Sequence, residues 1–413
     1  MINDPCAKPS LISVDDAIAA ILESGTAITG TEIVDVFDAC GRVLAEDVCS
    51  AIDVPGHDNT AMDGYAVLSS DCAEAGRSLQ VTQRIPAGTV GSELSPGEAA
   101  RIFTGAPIPP GADAVVMQEQ CELADDTEPA RVTIDTTVKP GENIRRAGED
   151  IRQDSVILKA GHKVRAQDMG LLASVGCASV TVRRRLRIAT FFTGDEIITP
   201  GEPLAPGQIY NSNRYTLRGL IQSSGCECID LGIVPDTLDA TMDVLKQAAA
   251  QADLVITSGG VSVGEEDYVR IALEQLGELK MWRIAMKPGK PVAFGRVGDT
   301  LFMGLPGNPV SVFVTFLIFA RGLVRKMQGC NEVTPQRIKV RADFEWPEVV
   351  RQEFVRARLV NRDDASYAEI YPHQGSGVLS SASWAHGLVD IPVGRVINTG
   401  DIVDFLPFEG LLG

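Results

Sequence analysis

The spacing of apolar and polar residues divides the chain into stretches of different rhythm. Near the start, Ser13 stands as an N-cap with Asp16 three residues on, a variant of the capping box. Ala17, Ile18, Ile21 and Leu22 then recur at helical spacing and predict an amphipathic helix. From 51 to 150 the rhythm is that of short strands, at 99–103, 114–118 and 131–136. Turns such as Thr104-Gly105-Ala106-Pro107, Pro109-Pro110-Gly111 and Pro140-Gly141 separate them. Residues 151–182 are mixed, with a helix over 166–175 stopped by Gly176. This segment is expected to pack back against 1–50, which makes the β-rich stretch an insertion.

From 186 to 328 the two periodicities alternate. Strands are predicted at 187–193, 228–234, 253–257, 281–286, 291–294 and 301–305, with helices over 213–224, 238–250, 265–276 and 310–327. Such alternation implies a mainly parallel sheet with helices on both faces, and sheets of this kind bind ligands at the carboxyl ends of their strands. From 333 onward, strands at 337–340, 354–359, 368–371, 388–391 and 402–405 predict a small all-β domain, a barrel. The expected fold class is multidomain α/β plus β. Its domains are 1–50 with 151–182, discontinuous and mixed; 51–150, inserted and mostly β; 183–330, α/β; and 331–413, the barrel. A length of 413 residues fits several domains of ~100–200 residues each.

Composition sharpens what the chain does not do. A net charge of −18 excludes a general nucleic-acid coat. The longest strongly apolar run, 310–320, is too short to cross a bilayer and ends at Arg321, so no membrane partner is expected. Met1-Ile2-Asn3-Asp4 carries no basic region ahead of an apolar one, so no signal peptide is expected and a cytoplasmic location is. The nine cysteines include no CxxC pair, and Cys226 with Cys228 lacks zinc spacing; reduced, mostly buried thiols are expected. His57, His162, His373 and His386 are scattered, which argues against a His-based metal site.

Against this acidic background, residues 281–327 carry a net charge of +6. Arg321, Arg325 and Lys326 are expected to complement the end of their own helix. Lys287 and Lys290 flank a Pro-Gly turn; they form either an oxyanion clamp or a charged hairpin. Ser258, Gly259, Gly260, Ser262 and Gly264 follow a strand and precede a helix, so backbone N–H groups there can close on an anion. Glu265, Glu266 and Asp267 suit the first helical turn. The same loop matches G-x-S-x-G, but a triad needs a later His in the same sheet, and only His373 and His386 follow. In Gly304-Leu305-Pro306-Gly307-Asn308-Pro309, Pro309 suits the first helical position and Asn308 the cap. Neither a Walker motif nor a Rossmann fingerprint occurs. An anionic, phosphate-like ligand is implied, though not an ordinary ATPase.

The stretches PGHDNTAMDGYAV (55–67), RIFTGAPIPPGADAVVMQE (101–119), GENIRRAGEDI (141–151), TGDEI (193–197), TSGGVSVGEEDY (257–268), KPGKP (287–291) and GLPGNPVS (304–311) together resemble the molybdopterin molybdenumtransferase family, which includes MoeA and the gephyrin E domain. The resemblance runs in order from about residue 11 to the C-terminus. It implies an elongated four-domain homodimer whose α/β domain is similar to molybdopterin adenylyltransferase. It also implies Mg²⁺-assisted cleavage of adenylylated molybdopterin, release of AMP, and placement of molybdate on the dithiolene.

Position by position, the resemblance makes Asp63, Thr104, Asp150 and Glu196 functional acids or hydroxyls. Asp236 and Asp267 become acidic pocket residues that hold Mg²⁺ with Glu196. Lys287, Lys290 and Ser311 fall in the anion and molybdate region, Pro306 and Pro309 in the adjoining loop. Arg356 and Ser376 become barrel residues facing the pocket, with the looser match. The site is expected between the α/β domain of one subunit and the inserted domain of the other. Molybdopterin adenylyltransferase and molybdoenzyme apoproteins or their chaperones are the expected further partners. Two other readings are an adenylyltransferase, which needs only the α/β domain, and a non-catalytic scaffold on the same fold.

Overall fold

The computed structural model describes residues 11–124, 129–260, 268–362 and 365–412. The chain opens on helix Val14–Ser24, capped as its sequence requires: Ser13 Oγ accepts from Asp16 N at 3.0 Å and donates to Asp16 Oδ2 at 2.6 Å. Val14, Ala17 and Ile21 are buried among Phe316, Phe319, Leu323 and Val324, so this helix packs on the α/β unit. Strand Thr31–Asp35 pairs antiparallel with Ser179–Arg183, and Val48–Cys49 with Val156–Leu158. Leu44, Leu158, Val164, Leu172 and Val182 share the core that these ribbons enclose.

Inserted in the chain between Val48–Cys49 and Val156–Leu158 is a six-stranded sheet in the order Ala114–Met117, Gly64–Val67, Glu98–Ile102, Arg77–Ile85, Arg131–Ile134, Cys121–Ala124. Alternation sends Tyr65, Val67 and Ala99 to one core and Ala66, Ala100 and Ile102 to the other, the period-two consequence of the pleat. Gly64 is confined by its neighbours: a Cβ there would lie 1.8 Å from the Val116 carbonyl.

The α/β unit is built on the sheet order Glu227–Val234, Arg187–Thr193, Leu254–Ser258, Thr300–Leu305, Pro291–Val297, Gly277–Arg283. Its first four strands are parallel, and its last two are added through antiparallel pairings, so that Pro291–Val297 alone runs against the rest. Ile188, Ile256 and Met303 face one core, beneath helices Ser212–Ser223 and Pro309–Thr315; Ala189, Val255 and Phe302 face the other, beneath Leu238–Gln251 and Tyr268–Leu276. Strands buried on both faces read as continuous apolar runs, which is why they were legible. The barrel closes through Gln352–Arg362, Ala365–Ile370, Ile338–Ala342, Ile402–Pro407 and Gly387–Ile391, the last strand pairing back to the first.

Three local expectations change. The strand expected at 281–286 begins earlier, as Gly277–Arg283, and Met286–Lys287 is a separate short strand. That short strand pairs with Gln352 and Glu353 of the barrel, so the lysine loop, which joins the antiparallel strands Gly277–Arg283 and Pro291–Val297 as a hairpin, also bridges two domains. The long helix over 310–327 is interrupted: Pro309–Thr315 gives way to a π-type stretch, Phe316–Ala320, before Arg321–Met327. Such a widening leaves the apolar pattern unchanged.

Finally, the basic residues of that helix serve other chain ends. Arg321 Nε donates to Leu411 O at 2.8 Å, Arg325 Nε to Glu332 O at 2.7 Å, and Lys326 Nζ to Leu22 O at 2.5 Å. Leu22 and Leu411 lie in the last turns of other helices, and Leu22 O also accepts from the cap residue Gly25 N at 3.1 Å. Of the eight described cysteines, all are free thiols; Cys72, Cys226 and Cys330 are buried, and Cys40 and Cys49 are exposed.

Candidate functional site

Strand register assembles the site. Thr193 pairs with Val234, Phe192 with Ser258, and Ser258 with Leu305, so four parallel strands end together. The segments leaving them carry Asp236, Glu196, Gly259 with Gly260, and Pro306 with Gly307, in that order along one edge. Gly259 and Gly260 have φ of +86° and +63°, a region that costs a side-chain-bearing residue ~1–2 kcal/mol. A Cβ on Gly260 would also lie 2.7 Å from Val269 Cγ2. The Glu196 carboxylate folds back over Gly194, where a Cβ would sit 2.5 Å from Oε2.

A cleft of about 550 Å³ opens at this edge. Gly259, Gly260, Lys287, Lys290, Pro306, Gly307, Asn308, Ser311 and Ser376 all line it. Arg351, Gln374 and Gly375 complete the barrel side. The lining thus carries three cations and, among the described residues, no carboxylate. Lys287 is tied back, with Nζ 3.1 Å from Glu353 Oε1, while the exposed Lys290 ammonium has no partner among the described residues. Ser258 Oγ is buried and also has no hydrogen-bond partner among the described residues, directly before the two glycines. Unsatisfied buried donors of this kind are costly and mark places where a ligand or water completes the bonding.

Other contacts hold the walls in place. Asn308 occupies the helix cap position without a side-chain cap bond, and Pro309 follows at the first helical position. Asn213 Nδ2 donates to Gly307 O at 2.7 Å and braces that loop. Arg356 lies beneath the cleft, buried; its Nε donates to Ser381 Oγ at 3.0 Å and its guanidinium to Gly375 O at 3.2 Å. Burial lowers Arg356 to about 10, so it remains charged at neutral pH. It holds the loop that presents Ser376. Ser262, Gly264 and Asp267, with Glu265 and Glu266, lie outside the described residues.

The inserted domain holds a separate group. Asp63 Oδ1 accepts from both Thr104 N and Thr104 Oγ1, at 2.7 and 2.6 Å. The hydroxyl bond first, then the backbone one, lowers the Asp63 carboxyl below its ordinary value. The chain around them is laced by Gly105 N to Thr60 O and by pairing of Ile144–Arg145 with Asn59–Thr60. Asp150 is exposed, anchored through its N–H to Val54 O at 3.0 Å. None of Asp63, Thr104, Asp150 and Glu196 lines the cationic cleft of the same chain. Arg351 and Asn213 escaped the sequence reading because neither belongs to a glycine-rich or charge-dense motif; only the meeting of domains reveals them.

A glycine-walled, cationic cleft at the carboxyl edge of a largely parallel sheet, shut on one side by a barrel loop, defines a protein that handles a phosphate-bearing or comparable oxyanionic ligand. The chain matches the models for the MoeA N-terminal region (domain I and II) over 12–176, a probable molybdopterin binding domain over 189–326, and the MoeA C-terminal region (domain IV) over 339–408. It is 40% identical over 408 residues to the molybdopterin molybdenumtransferase of Haemophilus influenzae, covering 98% of this chain and 100% of that one. It is 41% identical over 384 residues to that of a Nostoc species, covering 90% and 87%. The solved molybdopterin biosynthesis MoeA protein of Pyrococcus horikoshii OT3 is similar at 30% identity, over 96% of this chain and 100% of that one, with a TM-score of 0.82. The chain belongs to the molybdopterin molybdenumtransferase (MoeA) family.

Proposed function

We propose that this protein carries out the metal-inserting step of molybdenum cofactor biosynthesis, taking adenylylated molybdopterin and molybdate and releasing AMP. The observation that carries this reading is the cleft itself, lined by Lys290, Arg351, Gly259 and Gly260, with the orphaned Ser258 hydroxyl directly before the two glycines. Molybdate is a tetrahedral dianion, and lysines with backbone amides bind such an ion as they bind phosphate. The glycines admit the pyrophosphate close to the backbone, and Asn213 and Arg356 keep the opposing loops from sagging inward. These residues bind, orient and neutralise.

Glu196 and Asp236 follow neighbouring strands at the same edge, a donor set of hard oxygens that suits Mg²⁺ with substrate phosphate. Held by these residues, Mg²⁺ would supply charge neutralisation at the phosphoanhydride. Substrate oxygens would complete the set. Asp63, with Thr104 holding it ionised, and Asp150 act across a homodimer, reaching the cleft of the partner subunit. A carboxylate there orients the attacking water.

The test is turnover. Purified protein given adenylylated molybdopterin, molybdate and Mg²⁺ is expected to release AMP and to yield cofactor that activates an apo-molybdoenzyme. Absence of AMP release, where a homologue works in parallel, refutes the reading.

A further inference from the structure

A second cavity, of about 850 Å³, lies between the turn after strand Val156–Leu158 and the end of helix Arg321–Met327. Its walls carry Lys159, His162, Lys163, Arg165 and Arg325 against one carboxylate, Glu332. Some of this charge is matched. His162 Nε2 and Arg165 Nε lie 2.7 and 2.9 Å from Oδ2 of the buried Asp168, and Arg325 donates to the Glu332 carbonyl. The ammonium groups of Lys159 and Lys163 have no hydrogen-bond or ion-pair partner among the described residues.

Lys163 is the telling one. It is half-buried, and its ammonium is held below the ordinary lysine range, first by burial and then by the nearby Arg325. Burying a cation beside another cation is unfavourable unless an anion is drawn in between. The walls are also built to stay apart. Asn331 Nδ2 donates to Ala160 O at 2.6 Å and Asn331 N to Gly161 O at 3.0 Å, which fixes the turn against the end of the helix. At Gly161 a Cβ would come within 2.4 Å of Asn331 Oδ1, so the turn is fitted to this docking.

We infer that this cavity binds a tetrahedral oxyanion, either free or as the phosphate group of a small molecule, with Lys163 as its principal contact. The site is separate from the cleft at the sheet edge and does not depend on the reaction assigned there. Its volume falls in the range of small-molecule sites. Because Lys159 and Lys163 come from one domain and Arg325 from another, the bound anion ties the two together.

The test is calorimetry on the full-length Lys290→Gln protein, in which the cleft has lost its unpaired cation, titrated separately with inorganic phosphate and with AMP. A retained binding event is expected. Lys163→Met should weaken it by about tenfold or more, and Lys163→Arg should restore it. Binding of phosphate alone identifies the free ion as sufficient; binding of AMP alone identifies the carried group. A second measurement needs no variant: phosphate should protect Lys163 of the wild-type protein from acetylation while leaving the exposed Lys246 unprotected. Loss of all binding in Lys290→Gln, or equal labelling of Lys163 with and without phosphate, overturns the inference.

Discussion

Lys287 Nζ lies 3.1 Å from Glu353 Oε1 and 3.3 Å from Oε2, so one of the two lysines of the KPGKP turn is spoken for by the barrel. Trp346 Nε1 donates to the same carboxylate at 3.2 Å and holds it in place. Lys290, three residues on, has no such partner. The two lysines should therefore differ in the cleft. Lys290→Gln is expected to raise the KM for molybdate or the AMP inhibition constant by about tenfold, the worth of one charge-assisted bond. Lys287→Gln should cost less. Glu353→Gln should release Lys287 and tighten anion binding. The ratio of the three inhibition constants decides; equal effects of the two lysine variants would refute the division of labour.

Thr104 sets the charge of Asp63 through two bonds to one oxygen. Only the hydroxyl bond is removable by substitution. Asp63 is depressed in the folded protein, so it stays ionised as pH falls through its ordinary value of 3.8. In Thr104→Val the carboxyl should move back up toward that value, and the acid limb of the Asp63 titration should shift to higher pH. Carboxyl-resolved NMR titration reads this directly. An unmoved titration would mean that the backbone N–H of Thr104 alone holds the charge.

What could be read from the chain beforehand follows from which interactions are local. The helix beginning at Val14, the strands 187–193 and 254–258 and the barrel strands were legible because periodicity and capping act within a few residues. The glycine loop at 259–260 and the Lys290 turn were legible as turns for the same reason, and both line the cleft. Lys287 read as an open cation because its partner, Glu353, is 66 residues away. Arg321 and Lys326 read as caps of their own helix because the carbonyls they bind, at Leu411 and Leu22, belong to distant segments. The π-type stretch at Phe316–Ala320 has no sequence signature beyond apolar residues. Arg351 entered the cleft only when the barrel docked.

If the acids of the inserted domain serve the partner subunit, two inactive proteins can repair one another. Asp63→Ala removes the acid contributed across the interface, and Lys290→Gln weakens the cleft in the same chain. Each homodimer should lose most of its AMP release at molybdate well below the wild-type KM. A mixed dimer of the two variants carries one cleft with intact Lys290 facing an intact Asp63 of the other chain. Co-refolded mixtures are therefore expected to recover activity, up to about one quarter of wild type for random pairing with one good site in each half-populated heterodimer. No recovery in a preparation shown to contain heterodimer would place Asp63 with the cleft of its own chain.

Asp168 stands apart from the reaction and tests the frame that carries it. It sits in the first turn of helix Ala166–Ser174, only 3% exposed, and accepts from Arg165 N at 2.8 Å, Arg165 Nε at 2.9 Å and His162 Nε2 at 2.7 Å. The Arg165 side-chain bond foremost, then His162 and the backbone N–H, hold its carboxyl well below the ordinary value of 3.8. A depressed folded value means that the group contributes stability above 3.8 and loses it as pH falls from there toward the depressed value. Asp168→Asn keeps the shape and removes the charge, and is expected to cost about 2 kcal/mol. Because the variant has no carboxyl to protonate, its urea midpoint should fall less steeply than that of wild type as pH drops below 3.8. Hydrogen exchange should locate the loss in helix Ala166–Ser174 and the ribbon it supports. Parallel stability–pH curves for the two proteins would show that Arg165 and His162 contribute nothing through this carboxylate.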